Sequence, residues 1–178
     1  RRHSSAASDV YKRQALNLAS ERFSGERDKV IADALTRNVN YFNIVCSSLN
    51  ELDFVKDLND RYRKNSCFTL GVHPHNANEL NRNTLKSLKG YIKTHQPSAV
   101  GETGLDFFRN LSSYENQINA FEQQIIISIE NNLPLFLHQR EAHDDFIKVI
   151  DKYISDIPKG VVHCCLLYTS PSPRDSVG

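Results

Sequence analysis

The sequence predicts an α/β fold with a parallel sheet, organised as a (β/α)8 barrel truncated to about six strands. Three observations predict it. Short apolar runs alternate with longer amphipathic ones from Ala15 onward, the pattern of repeated βα units. No Gly-rich phosphate fingerprint follows the first strand, and the 7 glycines are scattered; this favours the barrel over an open doubly wound sheet, which stands as the alternative. At about 30 residues per βα unit, residues 15–164 supply five units and a sixth strand, whereas a closed barrel takes about 250 residues.

The elements follow in order. Strands are expected at Ala15–Leu18, Tyr41–Cys46 (YFNIVC), Cys67–Val72 (CFTLGV), Ser98–Gly101 (SAVG), Leu133–Leu137 (LPLFL) and Gly160–His163 (GVVH), each a short apolar run. Helices are expected between them at Arg27–Arg37, Leu49–Lys64, Thr84–Thr94, Tyr114–Asn131 and Ala142–Ile154. Ser48 with Glu51, and Ser112 with Glu115, read as capping boxes that start the second and fourth helices. Ile118, Phe121, Ile125 and Ile129 repeat at spacings of three and four, one face buried against the sheet.

Both ends differ from the rest. Residues 1–14 (RRHSSAASDVYKRQ) and 165–178 (CLLYTSPSPRDSVG) resemble translated linker or adaptor sequence and are expected to lie outside the fold. A basic, Ser-rich mitochondrial-type leader is the alternative for the first end. The chain has no Met, 22 Lys+Arg and 21 Asp+Glu, and the span between the ends is slightly acidic, so bulk electrostatic binding of nucleic acid is not expected. No apolar run approaches the ~18 residues of a membrane helix. Cys46, Cys67 and Cys164 are far apart and form no CxxC pair, which points to buried thiols and a reducing, cytoplasmic setting.

Barrel active sites lie at the C-terminal ends of the strands. There the third strand ends in Gly71-Val72-His73-Pro74-His75, the fourth in Val100-Gly101-Glu102, the fifth in Phe136-Leu137-His138 and the sixth in Val161-Val162-His163. Four successive strands thus deliver His or Glu to one face. Glu102, His138 and His163 form a three-ligand set for a hydrolytic divalent metal. Asp106 and Arg109 follow in GETGLDFFRN; they read equally as a surface ion pair or as a phosphate-holding arginine beside an acid. Arg140 is a second candidate for phosphate contact. His95 and His143 read as solvated surface residues.

The runs GVHPH, GETGLDFFRN, PLFLHQREAHDDF and GVVHC, in this order and spacing, resemble the TatD family of metal-dependent deoxyribonucleases over essentially all of residues 15–164. The resemblance implies an amidohydrolase-like barrel. It also implies a phosphodiesterase dependent on one or two Mg2+, Mn2+ or Zn2+ ions, acting on DNA from the 3′ end, with single-stranded DNA as substrate. By the same resemblance Glu102 is the catalytic, metal-bridging residue, His138 and His163 are metal ligands, and His73, with His75 beside it, contacts substrate phosphate. The family's first-strand His-x-His stands here as Ala15-Leu16-Asn17, with Asn17 a candidate site residue. The Glu-Thr-Asp strand that supplies the family's catalytic aspartate does not follow His163, so these 178 residues alone are expected to leave strand edges exposed and to turn over poorly. The competing readings are hydrolysis of a small ester, lactone or amide, and an inactive half-barrel.

Overall fold

In the computed structural model, residues 11–165 are described, with side chains from Ala15 to His163. Six strands, β1 (Tyr11–Leu16), β2 (Val39–Cys46), β3 (Ser66–Leu70), β4 (Ala99–Asp106), β5 (Leu135–Arg140) and β6 (Gly160–Cys165), form one parallel sheet in sequence order. The crossovers carry α1 (Arg27–Thr36), α2 (Leu52–Arg61), α3 (Arg82–His95), α4 (Tyr114–Asn131) and α5 (His143–Asp151). A doubly wound sheet reverses its strand order at a switch point. This one never does, so the barrel expectation holds.

Two apolar layers use the two faces of the strands. Phe42, Ile44 and Cys46 of β2 join Leu70, Val100, Leu135, Phe121 and Ile125 in the layer between sheet and helices. Val45, Ala99 and Phe136, with Ala15 against them, form a separate inner cluster. These four come from β2, β4, β5 and β1. Val45 of β2 gathers with Ala99 of β4 on one face, across the intervening β3, and Phe136 of β5 joins them, as expected where the sheet curls into the wall of a half-barrel.

The largest departure from expectation is β4, which runs five residues past Gly101 to Asp106 and is buried along its whole length. Its glycines make this extension, since Gly101 and Gly104 adopt φ of 141°. A Cβ at either would run into the carbonyl oxygen of Phe136 or His138 on β5, so only glycine admits this approach. The other boundaries move less. β1 starts at Tyr11 and β6 reaches Cys165, so the limits expected after residues 14 and 164 fall inside strands. The remainder of both adaptor-like ends lies outside the described residues.

The second helix expected at Leu49–Lys64 opens as a 3-10 turn, Leu49–Glu51, and becomes α2 only at Leu52. Ser48 accepts from Asn50 N, and Glu51 reaches back to Ser47 N at 2.8 Å, a capping box displaced by one residue. The α4 cap is Ser113, whose hydroxyl accepts from Asn116 N, and not Ser112. Ser112 is buried elsewhere: its hydroxyl donates to the His75 carbonyl at 2.8 Å and accepts from Asn78 N at 3.2 Å. Helix α4 matches its expected bounds. Phe121 and Ile125 on its stripe are fully buried, with Ile118 and Ile129 at the margin. Cys46 and Cys67 are free thiols; the Cys164 side chain lies outside the described residues. Among the described residues no helix is long and apolar enough to cross a membrane.

Candidate metal and phosphate site

Irregularities in the ladder build the site. Gly101 pairs with Phe136 and Thr103 with Leu137, leaving Glu102 as an extra residue in β4. Val162 pairs with Leu137 and Cys164 with His138, so His163 is the extra residue in β6. Such bulges re-aim a side chain beside a site. Between β3 and β4 the ladder ends early, with Thr69–Ala99 and Leu70–Val100 as its pairs. Gln124 of α4 substitutes for it beyond that point. Its Oε1 accepts from Val72 N at 2.8 Å, and its Nε2 donates to Val72 O at 3.0 Å and to Thr103 Oγ1 at 2.7 Å. Val72 leads into His73 and Thr103 follows Glu102, so one amide spaces two site residues.

At this end of the sheet His73, Glu102 and His138 are 8%, 8% and 6% exposed, and Asp106 is 1% exposed. His138 touches a carboxylate with each ring nitrogen: Nδ1 lies 3.0 Å from Glu102 Oε1 and Nε2 lies 3.2 Å from Asp106 Oδ2. His75 Nε2 lies 2.7 Å from that same Asp106 oxygen. His73 Nε2 is 3.9 Å from Glu102 Oε1, and the His73 ring packs edge-on to His75 and His138 with centroids at 4.2 and 4.6 Å.

Burial pushes the His73 imidazole down to about 3 despite the pull of Glu102, so the ring is neutral at neutral pH. Its Nδ1 accepts the backbone N–H of His75 at 3.1 Å. The neutral ring therefore carries its hydrogen on Nε2, the nitrogen nearer Glu102. Burial alone would raise the Glu102 carboxyl, but the hydrogen bond to His138 and the neighbouring His73, His138 and His163 outweigh it and hold the carboxyl below its ordinary range. Burial likewise opposes the Asp106 charge, and the Arg109 N–H, His75 and His138 overcome it, lowering that carboxyl too.

The remaining candidates are spread around the same rim. His163 stacks on Phe136 with centroids 5.3 Å apart and is exposed, near enough to bias Glu102 but outside the tight His73–Glu102–His138 group. Asn17 follows β1 and is exposed. Arg109 is exposed; Asp106 Oδ1 accepts its backbone N–H at 2.9 Å, and no ion pair joins the two side chains among the described residues. The Arg140 guanidinium lies 3.8 Å over the Phe108 ring. His95 and His143 lie at the end of α3 and the start of α5.

The sequence reads Asp106 only together with Arg109, as a surface pair or as the acid beside a phosphate-holding arginine, and does not single out Gln117 or Gln124. Signals for all three existed. Glu102, Gly104 and Asp106 share one face of an extended strand by its two-residue period. The glutamines sit seven apart on α4, both fully buried beside the apolar stripe.

A carboxylate oxygen and two imidazole nitrogens, from Glu102, His73 and His138, lie within 4.8 Å of one another. Glu102 and His138 offer donors that fit a divalent ion, whereas His73, with its hydrogen on Nε2 and its Nδ1 accepting from His75 N, turns an N–H toward the same space.

The comparisons with known proteins agree with the fold. A TatD homologue from Escherichia coli K12 superposes with a TM-score of 0.79 at 24% identity, covering 93% of this chain and 62% of its own. An uncharacterised amidohydrolase from Saccharomyces cerevisiae gives 0.74 at 26% identity, covering 82% and 52%. The 3′-5′ ssDNA/RNA exonuclease TatD of Pantoea ananatis is 36% identical over 149 residues, and that of Escherichia coli is 35% identical over 150. In both cases the aligned segment is 84% of this chain and 57% of the relative, so the chain spans little more than half the length of these proteins. The family profile described as TatD related DNase matches residues 14–170, and the chain belongs to the TatD family.

Proposed function

We propose that this rim is the phosphodiester-binding face of a metal-dependent nuclease, which in the complete protein removes nucleotides from the 3′ end of single-stranded DNA or RNA. The observation that carries it is the division of labour among buried groups: two ionised carboxylates and His138 on one side, and the neutral His73 presenting an N–H on the other. Membership of a family whose relatives are named as exonucleases supports the same reading.

Glu102 and His138 would hold the ion, with His163 completing the set from the bulge in β6. Two imidazoles and one carboxylate favour Mn2+ or Zn2+ over Mg2+, which prefers oxygen ligands. When bound, such an ion supplies Lewis acidity toward the phosphoryl group and lowers the pKa of water. His73 contributes a donor without charge: Nε2–H reaches a phosphate oxygen, and burial keeps the ring from titrating at working pH. His75 stands beside it. Arg109, exposed at the rim, supplies a guanidinium for a neighbouring phosphate, and Arg140 and Asn17 flank the path of the strand.

The test is release of mononucleotides from the 3′ end of a single-stranded oligonucleotide by the full-length protein with Mn2+ or Mg2+. Release is expected, with loss on Glu102→Ala. Turnover of a lactone or ester panel without nucleotide release would replace the proposal with the small-substrate hydrolase reading.

A further inference from the structure

We infer that Asp106 is a positioning residue that sets the tautomer of His138 and, with the same oxygen, holds His75 in place. The inference rests on reading Glu102 and His138 as metal ligands, and begins from an imbalance at His138, whose two ring nitrogens both face carboxylate oxygens. An ionised carboxylate only accepts hydrogen bonds. A neutral imidazole has one hydrogen to give, so it satisfies one of the two carboxylates and turns a lone pair toward the other.

The surroundings of Asp106 decide which. Its Oδ1 is occupied by the Arg109 N–H at 2.9 Å, so Oδ2 is the oxygen that faces both His75 Nε2 and His138 Nε2. Its backbone is gripped on both sides by Gln117, which accepts from Asp106 N at 2.9 Å and donates to Asp106 O at 3.3 Å. The carboxylate is thus a fixed acceptor, and once an ion engages Glu102 it draws the hydrogen of His138 to Nε2. The hydrogen bond that His138 otherwise shares with Glu102 then gives way, and Nδ1 presents its lone pair 3.0 Å from Glu102 Oε1. Two lone-pair atoms at that separation are reconciled by a cation between them, and a carboxylate behind the imidazole orients a ligating histidine in this way.

The same oxygen acts in a second direction. By holding the His75 ring, Asp106 fixes the residue whose backbone N–H occupies His73 Nδ1. One carboxylate therefore supports the histidine on the metal side and, through His75, the one on the phosphate side.

The test uses a substitution whose effect runs against its size. In Asp106→Asn the Arg109 N–H retains Oδ1, so the amide NH2 faces the imidazoles and forces His138 Nε2 to accept, moving its hydrogen onto Nδ1. Asp106→Ala removes the acceptor but enforces no tautomer. A purely structural role ranks Ala as the more damaging change; the positioning role ranks Asn so. Mn2+ titration of the 178-residue chain, followed by the electron paramagnetic resonance of free Mn2+, is expected to show a loss of about 10- to 100-fold in affinity for Asp106→Asn and a smaller loss for Asp106→Ala. In the Zn2+-loaded unmodified chain, 15N-histidine spectra are expected to show the His138 hydrogen on Nε2. A hydrogen on Nδ1, an Asp106→Asn affinity within twofold of the parent, or the reverse ranking overturns the inference. The spectrum needs no variant, so a misfolded Asp106→Asn leaves the inference open to refutation. Failure of the unmodified chain to bind Mn2+ overturns it by a separate route, through the metal reading. None of these readouts involves nucleic acid, so they stand apart from the nuclease assay.

Discussion

Replacing Gln124 by Leu keeps the volume of the side chain almost unchanged and removes only its hydrogen bonds. Gln124 is fully buried, and its partners Val72 and Thr103 are 2% and 1% exposed, so water cannot take over. The Val72 N–H loses its acceptor at 2.8 Å, while the Val72 carbonyl and the Thr103 hydroxyl lose the shared Nε2 donor. A buried polar group left unpaired costs about 1–3 kcal/mol. The N–H incurs that in full, and the carbonyl and the rotatable hydroxyl add less, for a total of about 2–5 kcal/mol. Domains of this kind are stable by about 5–15 kcal/mol, so the loss is a large share. Urea unfolding followed by far-ultraviolet circular dichroism should move the midpoint down by about 1–2.5 M, for a slope of about 2 kcal/mol/M. A shift below about 0.5 M with unchanged slope would falsify the view that this amide substitutes for the missing β3–β4 ladder.

Other outcomes follow from the same geometry. Gly104→Ala forces a Cβ into the His138 carbonyl at a φ of 141° and should lower stability by more than about 1 kcal/mol, read as a fall in Tm; an unchanged Tm would show that β4 and β5 separate freely there. His73→Gln should leave Mn2+ affinity within a few-fold but cut nucleotide release at least about a hundredfold, whereas equal losses in both would make His73 a ligand. Burial pushes the Cys46 thiol from 9.0 up to about 12, with Glu51 adding to the rise, so its thiolate is roughly a thousandfold scarcer than in the unfolded chain. Iodoacetamide at pH 8 should label Cys46 only after denaturation. Because this pKa is raised by folding, the associated stability is present below about pH 9 and is lost as the pH climbs toward 12, measurable as a falling urea midpoint in that window.

What the sequence made legible was whatever repeats. Helix α4 carries an apolar period over 18 residues and was placed at its true bounds, and the alternation of runs was enough for a singly wound parallel sheet. Of the candidate site, His73, Glu102 and His138 are legible because each closes or interrupts an apolar run, although the expected third ligand, His163, stands outside the group the structure draws together. Strand β4 was cut short because GETGLD reads as a polar loop; the two glycines that admit β5 at close range look like breakers until the neighbour is known. Asp106 stands out in the sequence only beside Arg109, since its value lies in a shared oxygen reached by residues 31 and 32 positions away. Ser112 reads as the cap because a Glu stands three residues on, but Ser113 competes for that place and Ser112 is needed by His75 and Asn78.

Gln117 and Gln124 make α4 a ruler. Seven residues of helix separate them by about 10 Å along the axis, and their amides hold the backbone at Asp106 and at Val72. The distance between the two ends of the site is therefore set by a covalent rod lying behind the sheet, not by the contacts of the site itself. One residue inserted into α4 between them would leave either glutamine able to keep its grip, but not both, because the added residue turns the helix by about 100°. Neither histidine nor carboxylate would have changed, yet the gauge between them would be lost.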